Sequence, residues 1–266
     1  MEQYSLFDTH AHYDHPLFKG NGPQILSELF GQGTVNGAVI PAISFETNLH
    51  RDLFPSDAFP YVFFAAGLHP KCATNEGWWP AAKQEAFTGF LEDPRTVAVK
   101  TGLDFCKKSL SEGQKAHQIR FFEYLIDQAN EAKLPLVLHV RDAEDKMLEL
   151  LRDKALQVEA EVHCYTKDLE TAEALMAAGI TRFGIGGMLT RDGMDELRTC
   201  VKALPLSAIL IETDAPFVRP KGYTAAYNTS ETMMETVQLI AELKGLSVGA
   251  VAEAVEQNTA EFFFGK

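Results

Sequence analysis

Ser5-Leu6-Phe7-Asp8-Thr9-His10-Ala11-His12 runs an apolar segment straight into a His-x-His pair. Side chains on an extended strand alternate between faces, so His10 and His12 share one face, Asp8 is expected beside them, and Thr9 and Ala11 take the other. Two neutral imidazoles placed this way can face one metal ion, and a carboxylate such as Asp8 can hold a second ring nitrogen and fix the tautomer. The same stretch bears on the fold. An open doubly wound sheet more often carries a glycine-rich phosphate loop after its first strand, and here that place holds Asp8-Thr9-His10-Ala11-His12.

Outward from this stretch, short segments rich in β-branched and aromatic residues alternate with longer ones of helical periodicity. The expected strands are 5–10, 35–43, 61–67, 96–101, 136–139, 159–165, 181–184 and 207–212. The clearest helix is 112–133, where Ile119, Phe122, Ile126 and Ala129 form one apolar stripe. Eight strand–helix alternations predict an α/β fold, a single TIM-type (β/α)8 barrel over residues 1–266, with its site at the C-terminal ends of the strands.

Composition narrows the function. Apolar residues make up 46% and charged residues 23% of the chain, and no apolar run reaches the roughly 18 to 20 residues of a membrane span. With no basic-then-apolar leader at the N-terminus, a soluble cytoplasmic protein is expected, with no membrane and no stable protein partner. Cys72, Cys106, Cys164 and Cys200 are widely spaced and read as mostly buried small residues rather than a disulfide framework or zinc ribbon. The net charge of -13 argues against a broad basic footprint on nucleic acid.

Collecting the strand ends gives His10 and His12 after the first strand, His69 after the third, Lys100 after the fourth, His139 after the fifth, His163 after the sixth and Asp214 after the eighth. A barrel brings all of these to one mouth, where together they read as a metal centre. Two ions roughly 3.5 to 4 Å apart would suit so many ligands and imply hydrolysis by an activated water. Asp214 is the best candidate both to bind metal and to take the water's proton. Glu212 is expected to make a supporting hydrogen bond or touch substrate, and His69 and Arg141 are candidate substrate contacts, Arg141 competing with a simple pairing to Asp142. Trp78 and Trp79 read as packing residues more than as a stacking platform.

These residues resemble the TatD-type deoxyribonucleases, within the metal-dependent, amidohydrolase-like hydrolases. The likeness spans nearly the whole chain and rests on Phe7 to His12, Gly67-Leu68-His69-Pro70, Gly102-Leu103-Asp104, Leu138-His139-Val140-Arg141-Asp142-Ala143, His163-Cys164-Tyr165, Glu212-Thr213-Asp214-Ala215-Pro216, Asn258-Thr259 and Phe264-Gly265. The resemblance implies that His10, His12 and Asp214 serve one metal and His139 and His163 the other, with a strand-four acidic residue bridging them. It also implies phosphodiester hydrolysis, often from DNA ends, by one or two divalent ions; zinc, manganese, nickel, iron and magnesium are not distinguished.

Two departures qualify this. Family members usually carry glutamate two residues before Gly-Leu-Asp, and here Lys100 stands there. A lysine with its ordinary pKa near 10.4 starts out charged between two dications. Either it takes up carbon dioxide as a carbamate and restores an anionic metal ligand, the slightly favoured expectation, or it stays an ammonium, weakens one ion and binds phosphate. The carbamate would also fit a second reading, a lactonase or amide hydrolase, and a degenerate site would leave a metal-poor binding module. Further on, Lys221-Gly222-Tyr223-Thr224-Ala225-Ala226-Tyr227-Asn228-Thr229-Ser230 replaces a more basic segment, leaving fewer cations to follow a nucleic-acid backbone.

Overall fold

The structure, a computed structural model, describes residues 4–74, 81–154 and 156–265; Trp78 and Trp79 lie outside the described residues. Eight strands, β1 (Leu6–Asp8), β2 (Val35–Pro41), β3 (Val62–Gly67), β4 (Thr96–Asp104), β5 (Leu136–Arg141), β6 (Ala160–Val162), β7 (Arg182–Ile185) and β8 (Ile209–Ile211), form one sheet in sequence order. Every adjacent pair is parallel. Past the ends of β1 and β8 the sheet closes through Thr9 N–H to the Ile211 carbonyl (3.1 Å), Asp214 N–H to the His10 carbonyl (2.8 Å) and an Ala11–Ala215 bridge. The helices between and after the strands are α1 (Gly22–Gln32), α2 (Ala81–Glu92), α3 (Glu112–Ala132), α4 (Glu144–Asp153), α5 (Leu169–Ala177), α6 (Asp195–Ala203), α7 (Met233–Lys244) and α8 (Val248–Phe264). Short 3-10 turns take the place of a helix between β2 and β3. This is the expected (β/α)8 barrel. Among the described residues no helix is long and apolar enough to cross a membrane.

Helix α3 shows how local sequence sets an element. Ser111 and Gln114 form a reciprocal capping box at its start. Phe122, Leu125, Ile126 and Ala129 are fully buried on its inner stripe, with Ile119 packed at the edge of the core. Lys133, at φ 55°, ends the helix in the left-handed conformation.

Inside the barrel, Phe7, Val39, Ala65, Ala98, Val137 and Leu210 pack with Phe262 and Phe263 of α8. This plug fills the end away from the strand exits, so the polar residues collect at the opposite mouth. Truncating one such core phenylalanine to alanine costs about 3 to 5 kcal/mol.

Three expectations change. The register of β1 shifts between Leu6 and Phe7, so Phe7 rather than Asp8 points into the barrel. Asp8 turns to the helix side, where its carboxylate accepts hydrogen bonds from Thr213 N–H (3.0 Å), Thr213 Oγ1 (2.5 Å) and Ser230 Oγ (2.6 Å), and it holds no histidine ring. Strand β4 runs three residues beyond its expected end at 101, to Asp104, because Gly102 and Leu103 continue the ladder opposite His139 and Val140. Of the cysteines, all free, only Cys200 is buried; Cys72, Cys106 and Cys164 are half-buried.

Candidate metal centre

The zipped exits of β1 and β8 bring His10, His12 and Asp214 together. Asp214 Oδ1 lies 3.5 Å from His12 Nε2 and 3.9 Å from His10 Nε2. Donors about 2 Å from a single ion stand roughly 3 to 3.5 Å apart, so this trio is slightly wider than a filled site. The exits of β5, β6 and β8 each pass through a non-glycine residue of positive φ, Asp142 (51°), Cys164 (50°) and Asp214 (51°). Such conformations cost of order 1 to 3 kcal/mol and collect at functional sites.

Across the mouth, His139 and His163 face each other. His139 Nδ1 lies 3.1 Å from His163 Nε2, and the His163 ring stacks on His10 at 3.9 Å between centroids. His139 Nε2 lies 3.2 Å from Asp104 Oδ2, and a carboxylate accepts only if that nitrogen carries the proton. His139 Nδ1 is thereby left with its lone pair toward His163. Burial holds the pKa values of His10, His163 and His139 below the ordinary imidazole value, so all three rings are neutral at pH 7. Burial opposes ionisation of Asp104, yet the hydrogen bonds from His139 and Cys106 win and hold its carboxyl below the usual range.

His69, Asp104 and His139 also lie close enough to read as a separate trio of metal donors. Their hydrogen bonds argue otherwise. His69 caps the turn Pro70–Cys72, its Nδ1 accepting the Lys71 N–H at 3.1 Å, so in the neutral ring Nε2 keeps its proton and has no lone pair for an ion. Asp104 already accepts from His139 and from Cys106 N–H, and Lys71 Nζ stands 3.7 Å away. This trio braces His139.

Below the histidines sit three buried ionisable groups. Lys100, on β4, is 1% exposed, and its Nζ has no hydrogen-bond partner among the described residues. Burial pulls its pKa down to about 7 against the attraction of Asp214, Glu212 and Glu161. Glu212 Oε1 accepts the Cys164 N–H at 2.7 Å and lies 3.8 Å from His163 Nδ1. Its space depends on Gly184, where a Cβ would stand 2.2 Å from Glu212 Oε2. Glu161, on β6, is fully buried with neither carboxylate oxygen partnered among the described residues, and burial raises its pKa to about 8.

At the rim, Arg141 is exposed and makes no ion pair with Asp142 among the described residues; Asp142 instead lies 3.8 Å from Lys167 Nζ. Lys71 is exposed beside Asp104, and Phe217, 38% exposed, meets the His15 ring edge-on at 4.9 Å.

The donor set fits one divalent ion. Buried His10 Nδ1 and Nε2, His12 Nδ1 and His163 Nδ1 lack a protein partner among the described residues, and neutral imidazoles beside a carboxylate are a common zinc-type donor set. A second ion fits poorly. Beyond His10, His12, His163 and Asp214 it would find one neutral imidazole, His139, and a lysine where a bridging anion is required. Two residues central to this picture went unflagged as site residues in the sequence, Asp104 and Glu161. Asp104 stands in the sequence only inside the Gly102-Leu103-Asp104 motif, and Glu161 lies two residues before His163, on the same face of an alternating strand.

The model of TatD-related DNases matches residues 7–264. The 3'-5' ssDNA/RNA exonuclease TatD of Escherichia fergusonii is 28% identical over 266 residues, covering 97% of this chain and 98% of that protein. The crystal structure of YjjV, a TatD homologue from Escherichia coli, superposes with a TM-score of 0.85 at 27% identity over 97% of both chains. A TatD-family hydrolase from Entamoeba histolytica shares the fold with a TM-score of 0.86 at 16% identity over the whole of both chains. With a matching barrel and donors gathered at its mouth, the chain belongs to the TatD-related DNase family of metal-dependent hydrolases.

Proposed function

We propose that the protein hydrolyses phosphodiesters at the ends of single-stranded nucleic acid, using one divalent ion held by His10, His12, His163 and Asp214. The observation that carries this reading is the set of buried imidazoles with unpartnered nitrogens around the Asp214 carboxylate. Isolated buried nitrogens of this kind are costly, and one cation satisfies several lone pairs together. Bound there, the ion supplies Lewis acidity toward a phosphoryl oxygen and lowers the pKa of water.

The chain's own groups do the rest. Asp214 takes the proton of the attacking water. His139, held by Asp104, closes the far side of the pocket. His69 presents its Nε2–H as a neutral donor to a phosphoryl oxygen. Arg141 grips the neighbouring phosphate with its planar fork, and Lys71 adds a second exposed cation. Phe217 gives the terminal base an apolar face on which to stack. Glu212 acts through the Cys164 amide and His163 rather than on substrate. Lys100 enters as a buried cation beside the ion, not as a carboxylated ligand. The four free thiols fit a reducing, cytoplasmic setting.

The test measures hydrolysis of bis(p-nitrophenyl) phosphate and of end-labelled single-stranded oligonucleotides by manganese-loaded protein, with a panel of lactones alongside. Asp214→Asn is expected to lower the phosphodiester rate by about 10² to 10⁴-fold, the range of a lost general base. Lactone cleavage without phosphodiester cleavage would move the reading to carbonyl chemistry.

A further inference from the structure

Two histidines at the mouth are set in the same way. His15-Pro16-Leu17 follows β1 and His69-Pro70-Lys71 follows β3, and proline keeps the residue before it out of the helical conformation. Both histidines take the same extended backbone, φ -72° with ψ 139° and 135°, and both cap a short turn. In each, Nδ1 accepts the N–H two residues on, from Leu17 at 3.2 Å and from Lys71 at 3.1 Å. A neutral ring that accepts at Nδ1 carries its hydrogen on Nε2, so each presents one fixed N–H donor. His69 meets a phosphoryl oxygen in the mechanism above, whereas the Nε2–H of His15 has no acceptor among the described residues.

The His15 ring is joined to the metal centre through Phe217. Phe217 meets the His15 ring edge-on at 4.9 Å and the His12 ring at 6.3 Å, a wall of three rings that starts at an ion ligand and runs outward. The Phe217 N–H donates to the Asp214 carbonyl at 2.8 Å, which ties this wall to the backbone of a second ligand. Exposed Leu17 and Leu49 follow β1 and β2, next to β8 around the barrel, and with Phe217 they make this sector of the rim apolar. Exposed Lys71, Lys107 and Lys108 follow β3 and β4, and exposed Arg141 ends β5. A nucleotide divides in the same way, into an anionic phosphate and a base with a flat stacking face.

Resting on the function proposed above, we infer that His15 is a substrate-binding residue whose Nε2–H donates to an oxygen of the terminal nucleoside. That nucleoside lies against Phe217 in the apolar sector, and the rest of the strand leaves over the cations. One donor beside one ring face fits one nucleoside.

The experiment reads binding rather than turnover. Zinc-loaded protein is titrated calorimetrically with thymidine 5′-monophosphate, deoxyribose 5-phosphate and inorganic phosphate. Wild type is expected to bind the nucleotide at least about tenfold more tightly than inorganic phosphate, the scale of one stacked base. Equal affinities would overturn the subsite. His15→Asn keeps an oxygen where Nδ1 accepts from Leu17 but has no N–H at the Nε2 position. It is expected to hold the urea midpoint and to weaken the nucleotide about three- to tenfold, the scale of one hydrogen bond, with inorganic phosphate unchanged. His15→Gln, which restores an N–H near the Nε2 position at the expense of the cap, is expected to recover most of that affinity. A loss shared by deoxyribose 5-phosphate puts the acceptor on the sugar, and a loss confined to the nucleotide puts it on the base. Unchanged nucleotide affinity in His15→Asn, an equal loss for inorganic phosphate, or an equal loss in both variants would overturn the inference. A protein that binds the nucleotide through His15 but cleaves no phosphodiester would refute the proposed function and leave the subsite standing.

Discussion

Asp104 shows how a side chain that need never touch an ion can decide what a neighbouring imidazole in the pocket does. By accepting from His139 Nε2 it fixes which nitrogen of that ring carries the proton, and its own oxygens are tied to Cys106 and approached by Lys71. Partners of this kind are typically worth 10 to 100-fold in metal affinity or activity. Asp104→Ala is therefore expected to cost about that factor in manganese-supported phosphodiester hydrolysis while the urea midpoint changes little. An unaltered rate would show that packing alone orients His139. Arg141→Ala is expected to raise KM for an oligonucleotide by about tenfold, roughly 1.4 kcal/mol of lost binding, with kcat preserved. A fall in kcat at constant KM would instead place Arg141 at the reacting phosphate.

Strand β4 carries much of the geometry, since all nine of its residues are buried and it holds both Lys100 and Asp104. Gly102 is the reason it can continue past the lysine. Its φ is +145°, and a Cβ there would fall 1.9 Å from the His139 carbonyl oxygen. Gly102→Ala forces β4 and β5 apart just where they carry Asp104 and His139. A loss of at least about 2 kcal/mol in urea denaturation is expected, with metal affinity falling too. A midpoint within error of wild type would mean that the strands separate freely. At this scale most of the molecule was legible in the sequence. The alternation of β-branched runs with helical stripes located all eight strands, and the histidines at their ends marked the mouth. Register was not legible. Nothing in Leu6-Phe7-Asp8 announces the shift that turns Asp8 toward Thr213 and Ser230. The miss comes from contacts more than two hundred residues apart in the chain, from Asp8 to Thr213 and Ser230, which a local pattern cannot carry.

The whole barrel acts on the centre by burying its imidazoles, and acidity is the simplest probe of that effect. Free imidazoles begin to take up protons near pH 6.5, and protons then compete with a metal ion for the same nitrogens. Here burial keeps His10, His139 and His163 neutral to lower pH than free imidazole. For these rings the folded pKa is the depressed one, so their uncharged state stabilises the fold above the unfolded value. That contribution is lost as pH falls below about 6.5, where the unfolded chain binds protons that the folded chain does not. In the folded protein the same depression protects the site from proton competition. Zinc affinity, measured by competition with a chelator of known pH dependence, is therefore expected to stay nearly flat from pH 8 to pH 6. A set of solvent-exposed histidines would lose affinity across that interval, progressively more steeply below pH 6.5. A decline of that kind here would show that water reaches the rings and that the plugged barrel does not isolate the centre.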